Sequence, residues 1–301
     1  MVIVAREERR LTAILLMLLA FLLFTGIDTS AKWLVQAGLP ATEVVFVRFA
    51  VHFMIAMALI LPQEGRRLFR TSAPGQELLR GLFLVGSTFF NFFALKHLPL
   101  TVTVAIFFAV PLVVCALSVA LLGERVGLRR WSAIGVGFLG VLVVTRPWSA
   151  SFHWAMGLSI GALFCVSMYF VMTRKLAGVD SSGTQQFLTS LIAVAIAAPM
   201  GLVGWIWPAV PLDWAAFALI GVFGWSGHQL ATIAHRLAPA SVLAPFVYVQ
   251  IIYMTAASWG IFHIPPDGWT LAGAALVISA GFYVWLRERA LTQAASVNPS
   301  P

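Results

Sequence analysis

Charge is what this sequence has least of. Of its 301 residues 10% are charged and 60% are hydrophobic, where a soluble domain carries about 25% charged residues. So little charge excludes an ordinary water-soluble globule, whose surface could not hide that much apolar area. Acidic residues are the scarcer sign, 11 Asp and Glu against 19 Lys and Arg. The positive balance would fit a nucleic-acid binder only if the bases shared a solvated face, and here they fall in short breaks between apolar runs. A polycationic cargo is disfavoured too, because it asks for several carboxylates within the apolar part of the chain. Cysteine is nearly absent. Cys115 and Cys165 each sit in the middle of an apolar segment and read as small buried hydrophobes. No H-E-x-x-H, P-loop or cysteine metal spacing occurs, so no cofactor, metal or enzymatic activity is expected. One fragment, GWSGH (224–228), resembles the nucleophile element of an intramembrane protease. That chemistry needs a histidine base within reach of the serine, and the later histidines, His235 and His263, fall in a loop and at a membrane edge.

What the chain does have is long apolar runs. A helix needs roughly 20 apolar residues to cross a bilayer. Ten segments qualify, at 11–31, 42–61, 78–95, 100–122, 129–146, 153–173, 184–206, 213–233, 240–262 and 269–286. REERR followed by LTAILLMLLAFLLF mimics a signal peptide, but no small-residue cleavage site follows, so the run is taken as the first span. The end of the chain, 290–301, reads as a disordered tail.

Ten spans put both termini on one side. Fifteen of the Lys and Arg residues fall there, Arg66, Arg67, Arg129 and Arg130 among them, whereas Lys32, Lys96 and Arg146 fall opposite and Arg48 lies inside a span. The positive-inside bias therefore places both termini in the cytoplasm.

The same phrase is also written twice. GLFLVGSTFFNFFALKHLP (81–99) aligns without gaps to GVFGWSGHQLATIAHRLAP (221–239), an offset of 140 residues. The repeat unit holds five spans, an odd number, so the second copy must enter the membrane upside down, as in many transporters with a site near the midplane. The expected fold is an all-α membrane protein of ten transmembrane helices in a 5+5 inverted repeat, with halves at 1–147 and 148–289.

On these features the chain resembles the EamA-type family of the drug/metabolite transporter superfamily. The residues that carry the likeness are Lys32 at the end of the first span, R-F-A (48–50) in the second, and LGERVGLRRWSAIGVGFLGVLVV (122–144) after the fourth. Within that superfamily it is most similar to YddG-type aromatic amino-acid exporters. The second half departs from the pattern, reading WGIFHIPPDGWTLAG (259–273) where a Gly-Glu pair usually recurs. The resemblance implies export of small metabolites by alternating access in the bacterial inner membrane. It implies a cavity lined by helices 1, 3, 4, 6, 8 and 9, with 5 and 10 at the periphery.

Polar groups inside a membrane are costly and face a cavity or a partner. Asp28 and Lys32 are spaced for an ion pair in the first span. Arg48 keeps its proton and needs Asp28, Glu43 or a substrate carboxylate. Ser87 and Asn91 share a face in the third span. Trp225, His228, Gln229 and Thr232 form one stripe in the eighth, and Tyr248, Gln250 and Tyr253 extend it into the ninth. Tyr169 lies in the sixth span, the counterpart of the first. The expected substrate-binding residues are thus Lys32, Ser87, Asn91, Tyr169, Trp225, His228, Gln229, Tyr248, Gln250 and Tyr253. Asp28, Arg48, Pro99 and Pro239 are expected in structural or gating roles, the prolines at paired corners. His52 reads as a packing residue. Amides, a cation and many phenylalanines suit a zwitterion with a large apolar side chain. Another solute class is the alternative, and the protease a minor one. No nucleic-acid or protein partner is expected beside the bilayer and the solute, and proton coupling would have to use Asp28 or His228.

Overall fold

In lipid a backbone N–H or C=O has no water to turn to, so apolar runs of this length satisfy themselves as helices. The computed structural model describes residues 2–122, 128–146, 148–150, 152–176, 179–237 and 243–297, and among them there are helices and no strand. The helices are α1 (Val2–Gln36), α2 (Ala41–Glu64), α3 (Pro74–Leu95), α4 (Leu100–Phe107), α5 (Val110–Leu122) and α6 (Leu128–Thr145). They continue with α7 (Ala155–Lys175), α8 (Ser182–Gly201), α9 (Pro211–Leu237), α10 (Gln250–Gly260) and α11 (Gly268–Val297). Helix therefore coincides with every expected apolar run. Five stretches are long and apolar enough to cross a membrane, Leu11–Gln36, Ala41–Glu64, Pro74–Leu95, Leu100–Leu121 and Ala155–Thr173. The Gly-Glu-Arg stretch after α5 and Pro239 lie outside the described residues.

Several boundaries follow from proline. Pro74 opens α3 and Pro99 precedes α4 with φ −61° and ψ 149°, positions where a missing N–H costs nothing. The fourth run is not one helix. It breaks at Phe108–Ala109, just ahead of Pro111, which has no N–H to offer the carbonyl four residues earlier, that of Phe107. The ninth run likewise opens as a 3-10 turn, Ala244–Val249, before α10. The last helix, α11, continues to Val297. Ala290, Leu291, Gln293 and Ala294 are strong helix formers and extend it.

The helices pair in a recognisable order. α1 packs on α9, α3 on α7, α2 on α8, α6 on α11 and α4 on α10. At the α6–α11 seam the backbones approach closely: a Cβ on Gly140 would lie 2.9 Å from the Gly273 carbonyl and one on Gly273 would lie 2.6 Å from the Gly140 carbonyl. Without a hydrophobic driving force in lipid, such small-residue contacts hold helices together. The core is uneven along the fourth run: α4 is buried from Leu100 to Ile106, whereas α5 is only half-buried from Val113 to Leu117.

Candidate functional site

Arg48 on α2 is the charge around which the site forms. It is 6% exposed, and its Nη1 donates to Thr88 Oγ1 on α3. The guanidinium carbon stands 4.6 Å from the Phe49 ring centre and 5.9 Å from that of Phe92. Thr88 passes its own proton to the Leu84 carbonyl at 3.0 Å, so its oxygen is turned toward the arginine. Asp28 on α1 interacts electrostatically with Arg48 and accepts from Asn91 Nδ2 at 2.8 Å. From α9, His228 leans on Phe24 with ring centres 5.1 Å apart and stands 6.1 Å from His52. Helices α1, α2, α3 and α9 thus supply one polar cluster walled by phenylalanine rings.

The cluster is incompletely satisfied. Within it Arg48 Nε, His52 Nε2 and Asn91 Oδ1 are buried and have no hydrogen-bond partner among the described residues, and the same holds for Trp225 Nε1 elsewhere on α9. Buried polar atoms are nearly always paired, so these unpaired groups make the Arg48 cluster the candidate site.

Other expected site residues sit elsewhere. Lys32 is 2% exposed and makes no ion pair with Asp28. Its Nζ donates to the carbonyls of Leu98 at 2.7 Å and Leu95 at 3.0 Å, beneath the Phe262 ring. The physical reason is that the carbonyls at the end of α3 and in the corner just past it have no helical partner and favour a cation, while Asp28 is already held by Asn91 and Arg48. Tyr169 receives a hydrogen bond from Arg80 Nη2 at 3.0 Å. Tyr248 lies edge-on to Phe108 at 5.4 Å, filling the place a side chain on Gly281 would take. Tyr253 packs with Met17 and Phe21 of α1, and Gln250 is half-buried at the start of α10. Ser87 is buried on α3 and Gln229 half-buried on α9, while Thr232 spends its hydroxyl on the His228 carbonyl. Glu43 takes the Ile206 N–H at 2.9 Å rather than Arg48.

Two residues do more than their sequence context suggested. Arg80 counted there only as a cytoplasmic base, yet it is 5% exposed. Its Nε donates to Thr173 Oγ1 at 2.8 Å, its Nη1 to the Gln185 carbonyl at 2.8 Å and to Thr189 Oγ1, and Glu77 pairs with it at 3.5 Å. The spacing of Glu77 and Arg80, one turn apart inside an apolar helix, was the available signal. His52 is the second, a histidine whose orphan nitrogen joins the Arg48 cluster. Outside the spans, the His97 ring stacks on His153 at 5.5 Å and tilts against Trp154 at 5.0 Å. Partial burial first, then His153, Lys96 and Lys32, hold His97 below the usual imidazole pKa. A surface depression of about 320 Å³ opens between the ends of α1 and α10, lined by Trp33, Gln36, Ala37, Ile261 and Phe262, and it contains none of the Arg48 cluster.

Comparison with known proteins gives a consistent outcome. The sequence pattern of the EamA-like transporter family matches twice, over residues 11–146 and over residues 153–286. A riboflavin transporter of Vibrio cholerae is 29% identical, covering 92% of this chain and 94% of its own. An S-adenosylmethionine uptake transporter of Rickettsia prowazekii is 27% identical, over 87% and 88%. The pseudopaline exporter CntI of Pseudomonas aeruginosa is 27% identical, over 89% and 94%. A solved crystal structure, 21% identical, superposes with a TM-score of 0.63 over 93% of this chain and 98% of that one, a likeness of fold.

Proposed function

The chain belongs to the EamA-like transporter family, a multi-pass membrane protein that handles small metabolites, and from there we propose that it is a secondary transporter for solutes carrying an α-amino-acid head and an apolar or aromatic body. The observation that carries this reading is the orphaned cluster at Arg48. An α-carboxylate complements Arg48 Nε–H and the Trp225 N–H, an α-ammonium complements Asn91 Oδ1 and Asp28, and the surrounding rings take the side chain. Charge balance supports it, since one cation and one carboxylate on the protein face one of each on the solute.

The proposed architecture is ten spans in two inverted halves, 1–147 and 148–289, in a bacterial inner membrane with both termini cytoplasmic. The doubled family match supports the halves, and so does the packing. Exchanging first and second halves turns the α1–α9 pair into α7–α3 and returns α2–α8 and α6–α11 to themselves. Gly81 of α3 fits against Ile192 of α8 as Gly221 of α9 fits against Val51 of α2. Alternating access then rocks one set of helices around the Arg48 cluster. In the arrangement described, the proposed outer side is the sealed one: α4 is buried all round and Lys32 fastens the α3–α4 corner at Leu95 and Leu98. The proposed direction is export, because an uncoupled carrier lets a metabolite made in the cytoplasm run down its gradient.

A second reading has its own support. Arg48 Nε–H and Trp225 N–H as donors flanking Asn91 Oδ1 as acceptor also suit the imide edge of a flavin-like ring, and relatives named as riboflavin transporters align over most of the chain. Reconstituted protein separates the two. Flux of labelled phenylalanine or tryptophan competed by other amino acids supports the first reading. Competition by riboflavin alone supports the second, and no competition by any amino acid overturns the first.

A further inference from the structure

Three glycines recur at every third position of α9, Gly221, Gly224 and Gly227, and their surroundings differ. A Cβ on Gly221 would fall 2.4 Å from Val51 Cβ and 2.9 Å from the Arg48 carbonyl, and one on Gly227 would fall 2.7 Å from Phe24 Cε1. Both are contacts no real Cβ tolerates, so these two glycines let α9 close on α2 and α1. At Gly224 the nearest atoms are His52 Nδ1 at 3.7 Å, Arg48 Nε at 3.8 Å and Ile27 Cδ1 at 3.9 Å, which is ordinary van der Waals contact. Packing therefore does not ask for glycine at this position. The helix is actually weakened by it, since glycine loses more conformational freedom in a helix interior than alanine does. What the missing methyl does is leave backbone alone, with no side chain, beside the buried Nε edge of an arginine whose Nη1 is already committed to Thr88.

We infer that Gly224 determines substrate binding, its bare backbone keeping Arg48 Nε–H and His52 open to the anionic head of the solute. The assignment rests on the amino-acid reading above. A carboxylate approaching the Nε edge of Arg48 gains a charge-assisted hydrogen bond in a site without competing water. A methyl group at 224 would lie over that N–H and over the imidazole, excluding the carboxylate while leaving the backbone unstrained. The same residue fits the lack of a protein partner at Arg48 Nε, on a side chain more than nine-tenths buried: its partner arrives with the solute.

The test uses the full chain in proteoliposomes, wild type beside Gly224→Ala and Gly135→Ala, the latter a glycine of α6 where an added methyl meets nothing within 4 Å. Labelled phenylalanine is the probe, with S-adenosylmethionine and riboflavin as competitors. The expected result is a half-saturation concentration raised at least tenfold by Gly224→Ala, a melting temperature equal to or above wild type, and no change in Gly135→Ala. Wild-type saturation in Gly224→Ala overturns the assignment and leaves the substrate reading standing. Lost flux with a lowered melting temperature also overturns it, because the glycine is then a packing residue. A wild-type protein that neither moves phenylalanine nor binds a competitor removes the substrate reading, and the assignment with it.

Discussion

Lys32 shows how far a single residue's chemistry can be read from spacing. Four residues from Asp28, it suggests an ion pair, but the ends of α3 compete for the same ammonium, and two unsatisfied carbonyls outbid a carboxylate already engaged. Lys32→Met should therefore destabilise the fold by about 1.5–3 kcal/mol, the worth of hydrogen bonds to a charged group, seen as a lower melting temperature in detergent. Normal stability with lost binding would instead make Lys32 a solute ligand. Asp28→Asn strips the charge that faces Arg48 while keeping the size, and flux should fall more than tenfold with folding retained. His97 gives a pH effect outside the spans. Its native pKa lies below the ordinary imidazole value, so the native state prefers it neutral. Its contribution is full above about pH 6.5 and is lost as pH falls through the native value. His97→Gln should flatten the acid limb of a stability-against-pH profile, by little, since the ring is largely exposed.

At the scale of helices, the sequence is most legible where burial needs no partner. Each apolar run became helix because lipid leaves the backbone no other option, and the prolines at 74 and 99 mark starts. The break ahead of Pro111 was equally visible in principle, but one continuous apolar run hid it. The Arg80 clamp was not legible, because a base one turn inside an apolar helix is ambiguous until α7 and α8 bring Thr173, Gln185 and Thr189 to it. Arg80→Ala should cost about 3–5 kcal/mol, as breaking a buried ion pair does, and should loosen α3 from α7 and α8. Arg80→Lys, unable to serve three helices at once, should recover only part of that loss in the same melting measurement.

For the whole molecule, the proposed topology with both termini cytoplasmic puts Lys96, beside Pro99, outside and Arg70 inside. In a variant lacking Cys115 and Cys165, Lys96→Cys should react in intact cells with a membrane-impermeant maleimide, and Arg70→Cys only after lysis. The reverse pattern would invert the topology. Energy coupling is a molecular property as well. If an imposed pH gradient leaves initial flux unchanged, the carrier is uncoupled, and a gradient-driven rise abolished by Asp28→Asn would make Asp28 the proton site.

The sequence alone determined the membrane class, the helix positions and the doubled phrase, because hydropathy and proline act locally and an aligned repeat is visible without coordinates. It also named Asp28, Arg48, Asn91, Trp225 and His228, since intramembrane polar groups are too costly to be idle. Only the tertiary structure decided their partners: Asn91 on Asp28, Thr88 on Arg48, Lys32 on the end of α3, and Tyr169 with Arg80. Those choices depend on which of several competing donors and carbonyls the packing brings within 3 Å. Gly224 belongs there too, because a glycine's role is set by what stands where its side chain is missing.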